Sequence, residues 1–367
     1  MRFARKLSTR VWSATEYGNP SKVLSLREVE IPTTPLIKCD NSHVTVKVNA
    51  VSLNPIDHWM VNGRGKNLRE IWEKLGNTFG LSTHDASVGV IPGRDFHATV
   101  MKDGERFKKG DHVVGVRHPF DSGSLQERMV LNEKALFPEN GQLSPEENAC
   151  LPFVTSTIMS SLGISGGISL FGCPTVKTLA DVNTKKILIV GATGGLGTVL
   201  TQLLLQDGAT VDVIGGREVW KIENAGKVLD YHDEEYRKRL VDDDYDFVFD
   251  CADGKAHEWV GRFMKHEKST LISYSSPLLQ MLGSMSAMSV PEFILVHQKV
   301  QSDLRKEAGA GAEFRFGFFS ERQAYFEQIS KIYFKPTISK VFDFESVPEA
   351  FESMVSESHF GKIVIRL

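Results

Sequence analysis

The chain has few cysteines, no long apolar run and little net charge, and each shortage removes a class of protein. Its four cysteines, Cys39, Cys150, Cys173 and Cys251, stand far apart with no CxxC pair. Neither a disulfide framework nor a zinc ribbon is indicated, and a reducing compartment fits. No window reaches the roughly 18 uninterrupted apolar residues of a membrane-crossing helix. The nearest, PLLQMLGSMSAMSVPEFILV, is cut by Gln280, Gly283, Pro291 and Glu292. A net charge of −3 leaves no electrostatic footprint for nucleic acid. Acids are missing from the first ten residues, MRFARKLSTR, where Arg2, Arg5, Lys6 and Arg10 oppose Phe3, Leu7 and Val11 on a helical wheel. Residues 1–11 therefore fit either a short mitochondrial targeting segment or an incidental basic terminus.

What is present is enough chain, 367 residues at 41% hydrophobic and 24% charged, for two domains with substantial cores. Residues 12–155 read as short β segments broken by Gly, Pro and Asn, among them HVTVKVNAVSLNP, ASVGVIPGRDFHATVM and GDHVVGV. Residues 156–320 alternate apolar strands (ILIVGA, TVDVIGG, YDFVFDC, STLISYS) with helices, which implies a doubly wound parallel sheet. Residues 321–367 return to β character in SKVFDF and GKIVIRL and are expected to rejoin the first domain. A chain that leaves one domain and comes back places a cleft at the junction, where small ligands bind.

The segment KKILIVGATGGLG (Lys185 to Gly197), leading into TVLTQLLLQDGA, reads as strand, tight turn and helix. Gly191, Gly194 and Gly197 let backbone approach an anion, and the helix start faces it with free N–H groups, as in dinucleotide binding. An α/β turn without a ligand has the same outline, so the motif alone is weak.

The segments NPIDHW, VIPGRDF, FKKGDHVVGV, GSLQERMVL, LPFVTSTIMSSL, VGATGGLG, YDFVFDCADG and SVPEAFESMVSESHFGKIVI, taken in order, resemble the medium-chain dehydrogenase/reductases in their zinc-free quinone-oxidoreductase branch. The resemblance implies an α/β protein: a Rossmann-type domain (156–320) plus a GroES-like β-rich domain (12–155 and 321–367). The segment from Pro277 to Val300 followed by FRFGFF is similar to a mitochondrial, reticulon-interacting group within that branch. That similarity implies ubiquinone biosynthesis as the setting and a reticulon-type protein partner. Short-chain dehydrogenases, which need Tyr followed four residues later by Lys, drop out: Tyr236, the closest case, is followed by Leu240.

Zinc-dependent members hold their metal with Cys and His. Here Asp57 takes the first ligand place and Arg94 the histidine place, and an arginine cannot ligate at neutral pH. No metal is expected. At the end of the second strand of the nucleotide fold, an acid would bind the adenosine ribose and repel a 2′-phosphate. Gly216 and Arg217 stand there instead, so NADPH is favoured over NADH. Asp212 is a rival placed mid-strand. The resemblance adds Thr193, Gly195 and Leu196 in the phosphate turn, Tyr231 near the adenosine, and Ser273, Tyr274 and Phe318 near the nicotinamide; Tyr231 and Phe318 also read as packing aromatics.

Hydride transfer to a quinone or enone builds negative charge on oxygen, which needs a hydrogen-bond or proton donor. Asn54, Asp57, His58 and Thr157 are the candidates, with His58 the one that titrates near neutrality. Trp59 stands where several relatives have a tyrosine, so water is a further proton source. Leu68, Ile71, Trp72 and Leu75 fall at helical spacing, as a satellite helix, a lid or a peripheral membrane contact for a lipid-like quinone. Met281, Met285 and Met288 suit an adaptable apolar wall or a homodimer interface. The expected protein is an NADPH-dependent quinone or enone reductase; an NADPH-binding sensor and an enoyl-thioester reductase are the alternatives.

Overall fold

The computed structural model describes residues 8–31, 42–66, 69–70, 88–119, 121–165, 185–240, 244–265, 269–275, 290–320, 323–327 and 329–367. Leu68, Ile71, Trp72 and Leu75 of the expected helix, the methionines 281, 285 and 288, and the basic residues before Ser8 lie outside the described residues.

Strand β1 (Ser8–Ser13) pairs antiparallel with β2 (Ser25–Glu30) across the short helix α1 (Pro20–Val23). The long β3 (His43–Ser52) alternates buried Val44, Val46 and Val48 with half-exposed partners, the period-two pattern of a strand with one face on a core. It leads into helix α2 (Pro55–Val61), whose Pro55 sits in the first turn, where a missing N–H costs nothing. Then follow β4 (Asp95–Val100), β5 (His112–Val116), β6 (Arg128–Asn132) and β7 (Leu136–Pro138). Helices α3 (Pro145–Ala149) and α4 (Pro152–Ser165) end this half.

The second half begins with β8 (Lys186–Val190), the phosphate turn and α5 (Gly195–Gln206), followed by β9 (Thr210–Gly215), β10 (Val228–Asp230), β11 (Phe247–Asp250) and β12 (Ser269–Ser273). Helix α6 (Val290–Ala308) precedes β13 (Ala312–Phe316). Among the described residues these strands form one parallel sheet in the order β10-β9-β8-β11-β12-β13. Ile187, Leu188 and Ile189 of β8 are fully buried, as expected of a strand covered on both faces.

After α7 (Gln323–Phe326), the chain returns to the first half through β14 (Ile338–Asp343), α8 (Val347–Ser356) and β15 (Lys362–Arg366). The second large sheet runs β14-β15-β3-β4-β5-β7, with β6 also paired to β3. The fold is thus the α/β combination of a Rossmann-type parallel sheet with a GroES-like β-rich unit. Val114, Val116 and Phe137 from the second sheet pack in one apolar cluster with Ile187 and Ile189 from the first and Val199 from α5. The two halves are joined by a dry contact, and the phosphate turn lies beside it.

Candidate active site

The phosphate turn is built for backbone proximity. Gly191 has φ +83°, a left-handed value that disfavours a side chain, and a Cβ there would lie 2.9 Å from Ala252 N. A Cβ on Gly197 would fall 2.2 Å from the Gly191 carbonyl oxygen. Gly194 is the N-cap of α5 in extended conformation, with only the Gly191 oxygen, at 3.5 Å, near its missing Cβ. The start of α5 therefore carries no side chain of its own at Gly194 and Gly195, which leaves its first N–H groups unscreened by a Cβ and fits a pyrophosphate. The Thr193 hydroxyl accepts from Gly216 N–H at 3.2 Å, tying the turn to the end of β9.

Gly216 is buried, and a Cβ built on it would stand in ordinary contact with Ser358 Oγ and the Tyr231 ring, all at 3.7 Å. Arg217 beside it is exposed, and Tyr231 is 51% exposed and stacked on His232 at 4.2 Å. The rival acid Asp212 is buried and engaged. It accepts from Tyr245 OH at 2.6 Å and from Lys227 N–H at 2.6 Å. The residues fit a nicotinamide dinucleotide, with Gly216 at the end of β9 beside the exposed Arg217 guanidinium.

At the far end of the sheet, Ser273 is buried at the end of β12, and its hydroxyl has no hydrogen-bond partner among the described residues. Tyr274 follows it, with Gly317 pressed against its ring and the Gly317 N–H donating to Ser273 O at 2.8 Å. The segment carrying Phe318 is clamped to α4: Ser156 Oγ donates to Ser320 O at 2.6 Å, and Ser160 Oγ donates to Phe318 O. Phe319 stacks on Phe153 at 4.7 Å. Thr157 and Phe318 thus share one helix-and-loop unit.

The NPIDHW loop sits on a buried charged hub. Asp57 is fully buried and accepts from Asn54 N–H at 2.8 Å, from Gly93 N–H at 2.8 Å and from Arg94 Nε at 3.3 Å. Arg94 is also fully buried; it donates to His118 O at 2.6 Å, Asp121 O at 3.1 Å and Ile91 O at 2.9 Å. Burial pushes the Asp57 carboxyl up while Arg94 draws it back, and burial brings the guanidinium down to about 10. All the hydrogen-bonding atoms of Arg94 are donors. These residues do not fit a zinc ion, because the guanidinium fills the ligand place and offers no lone pair.

A second pair adjoins it. Lys362, almost fully buried, donates to Asn54 Oδ1 at 2.6 Å and to Asp95 Oδ2 at 3.2 Å. Asn54 Nδ2 donates to Asp95 Oδ2 at 2.8 Å and to Ser52 O at 3.4 Å, and Phe153 N–H donates to Asp95 Oδ1. The Lys362 stem runs along Gly195, where a Cβ would meet Lys362 Cδ at 2.5 Å, and Gly361 N–H donates to Thr193 O at 2.9 Å. One lysine therefore spans the distance from the phosphate turn to the NPIDHW loop. Asp95 and Lys362 carry no signal in the sequence beyond a charge beside an apolar run, which ordinarily reads as a solvent-facing end.

Of the remaining candidates, the Thr157 hydroxyl donates to Phe153 O at 2.7 Å, and His58 is half-buried on α2. Burial, aided by Arg64, lowers His58 below its ordinary value, so the imidazole is neutral near pH 7. Burial pushes the Cys150 thiol up to about 12, which leaves it unreactive.

Two family descriptions match this chain: an alcohol dehydrogenase GroES-like domain over residues 40–140 and a zinc-binding dehydrogenase over residues 224–365. The chain belongs to the medium-chain dehydrogenase/reductase superfamily. As such it is an oxidoreductase of the NAD(P)H-using kind. It is 28% identical to the mitochondrial NAD(P)H oxidoreductase RTN4IP1 of Danio rerio, over 99% of this chain and 92% of that protein. The mitochondrial reticulon-4-interacting protein 1 of Caenorhabditis elegans is 27% identical over 99% of this chain and 97% of that protein. A mitochondrial location follows for this medium-chain reductase. Among solved structures, the quinone oxidoreductase from Coxiella burnetii superposes with TM-score 0.71 at 20% identity, covering 98% of this chain and all of that one (100%). The CurK enoyl reductase gives TM-score 0.70 at 17% identity, covering 98% and 99% of the two chains. Both likenesses concern the fold.

Proposed function

We propose that this medium-chain reductase is a zinc-free, NADPH-dependent reductase of quinones or conjugated carbonyls, serving ubiquinone biosynthesis in mitochondria. The observation that carries the reading is the Lys362 bridge, which ties the glycine turn to Asn54 beside a guanidinium that occupies the metal's place. When bound, NADPH supplies hydride from its nicotinamide. Gly191, Gly194, Gly195, Leu196 and Thr193 cradle its pyrophosphate, Arg217 takes the 2′-phosphate across Gly216, and Tyr231 covers the adenosine. Ser273, Tyr274 and Phe318 wall the nicotinamide end.

Asn54 positions the loop rather than donating to substrate, since both of its amide hydrogens and its oxygen are already engaged. Asp57 holds α2 in place through Arg94, and the Thr157 hydroxyl is spent on its own helix. His58 then remains as the donor: its neutral imidazole N–H stabilises the developing oxyanion and water completes the protonation. Protein treated with a chelator should oxidise NADPH when given a short-chain quinone, and His58→Ala should lower kcat by about a hundredfold. Loss of activity on chelation, restored by zinc in the parent and equally in a His112→Ala variant, would overturn the zinc-free reading.

The engagement of Asn54, Asp57 and Thr157 also favours a second reading, an NADPH-binding sensor with little turnover. A reticulon-type partner, suggested by the relatives' names, suits that reading. Tight NADPH binding without turnover on quinones, enones or enoyl thioesters would select it.

A further inference from the structure

Away from the hub, three side chains from neighbouring strands converge. His97 on β4, His112 on β5 and Glu139 just after β7 each place one ligand atom within 4.8 Å of the other two. Thr99 lies opposite His112 in the β4–β5 ladder, and His97 is two residues before Thr99, so both imidazoles stand on the same face. His97 is fully buried with Nε2 2.8 Å from Glu139 Oε2; its ring stacks on that of His112 at 5.5 Å between centroids. His112 is exposed and Glu139 half-buried, which leaves an entry path.

The far sides of the rings are also supported. Asn49 lies 3.2 Å from His97 Nδ1 and donates to Thr99 Oγ1 at 2.8 Å, while Thr99 Oγ1 lies 3.4 Å from His112 Nδ1. Turning the Asn49 amide over exchanges its NH2 for its carbonyl without moving a heavy atom elsewhere. His112 Nδ1–H then donates to Thr99, Thr99 O–H donates to Asn49 Oδ1, and His97 Nδ1–H donates to the same oxygen. In that arrangement both Nε2 atoms carry free lone pairs, and that of His97 lies 2.8 Å from Glu139 Oε2. Metal-binding histidines are oriented in this way by a partner on the other ring nitrogen.

We propose that His97, His112 and Glu139 form a binding site for a divalent transition-metal ion, Zn2+ first, separate from the reductase centre. Two imidazoles and a carboxylate with an open fourth position match tetrahedral zinc, whereas Mg2+ and Ca2+ prefer all-oxygen sets. Binding pins β4 to β5 and to the segment after β7, so its effect is structural. The neutral His97 gives up no proton: its ring hydrogen moves from Nε2 to Nδ1, and the Glu139 carboxylate exchanges that hydrogen for the cation.

The test is calorimetric titration of the chelator-stripped full chain with zinc chloride, accompanied by thermal melting. One equivalent should bind and raise Tm. His112→Ala, at an exposed position, should melt like the parent without metal yet bind zinc at least tenfold more weakly, and Glu139→Gln should also weaken it. Absence of binding, or binding of equal strength in His112→Ala, would overturn the proposal; the latter result would place the zinc on other groups.

Discussion

Lys362 carries the sharpest consequence at the scale of single residues. Replacing it by Met leaves the Asp95 carboxylate buried with only Asn54 and the Phe153 N–H as partners. Breaking a buried pair from one side costs about 3–5 kcal/mol. Urea unfolding of Lys362→Met should show a loss of that order, and Lys362→Met combined with Asp95→Asn should recover at least half of it. A simple sum of the two single losses would disprove the coupling. His118 supplies a pH dependence. Burial lowers it, so as pH falls through about 6.5 the unfolded chain takes up a proton before the folded one, and stability drops with acidification. The loss of Tm between about pH 7.5 and about pH 5.5 should be smaller in His118→Gln than in the parent; equal losses would mean that His118 is not a source of the slope. Neither role was legible in the sequence. Residue type shows that a group can titrate, but burial and partners, which decide what it does, come from strands distant in the chain.

At the scale of elements, the turn between β8 and α5 was readable because glycines at fixed spacing have a backbone reason to be there. Gly197 is the strictest of them, with the Gly191 oxygen 2.2 Å from any Cβ. Gly197→Ala should widen the turn, lower Tm and abolish detectable nucleotide uptake in a fluorescence titration; unchanged affinity would remove the turn from the binding surface. The strands of the parallel sheet announced themselves as apolar runs, and so did the return of GKIVIRL to the β-rich half. The attachment of the 317–320 segment to α4 did not. Ser156 and Ser160 look like ordinary helix hydroxyls until the fold shows their carbonyl partners. That clamp fixes the loop bearing Phe318, so the expected nicotinamide wall depends on two serines of the LPFVTSTIMSSL segment whose carbonyl partners the segment itself does not reveal.

Among the described residues the two large sheets share an apolar cluster, with the glycine turn and the charged hub on either side of Lys362. The fold class was legible because β-rich and alternating α/β patterns differ over long stretches. The crossing point was not, since it is made by one side chain reaching from β15 to α2. Within the hub the charges of Arg94 and Asp57 balance each other. We propose that the exposed Arg217, beside Gly216, selects NADPH over NADH. Calorimetric titration with NADPH and NADH, repeated on Arg217→Ala, tests it most directly. The account predicts that NADPH binds more tightly by about tenfold to a hundredfold and that the variant loses this advantage while keeping its NADH affinity, as expected for one charge-assisted contact. Equal affinities in the parent, or a preference that survives in Arg217→Ala, would contradict it.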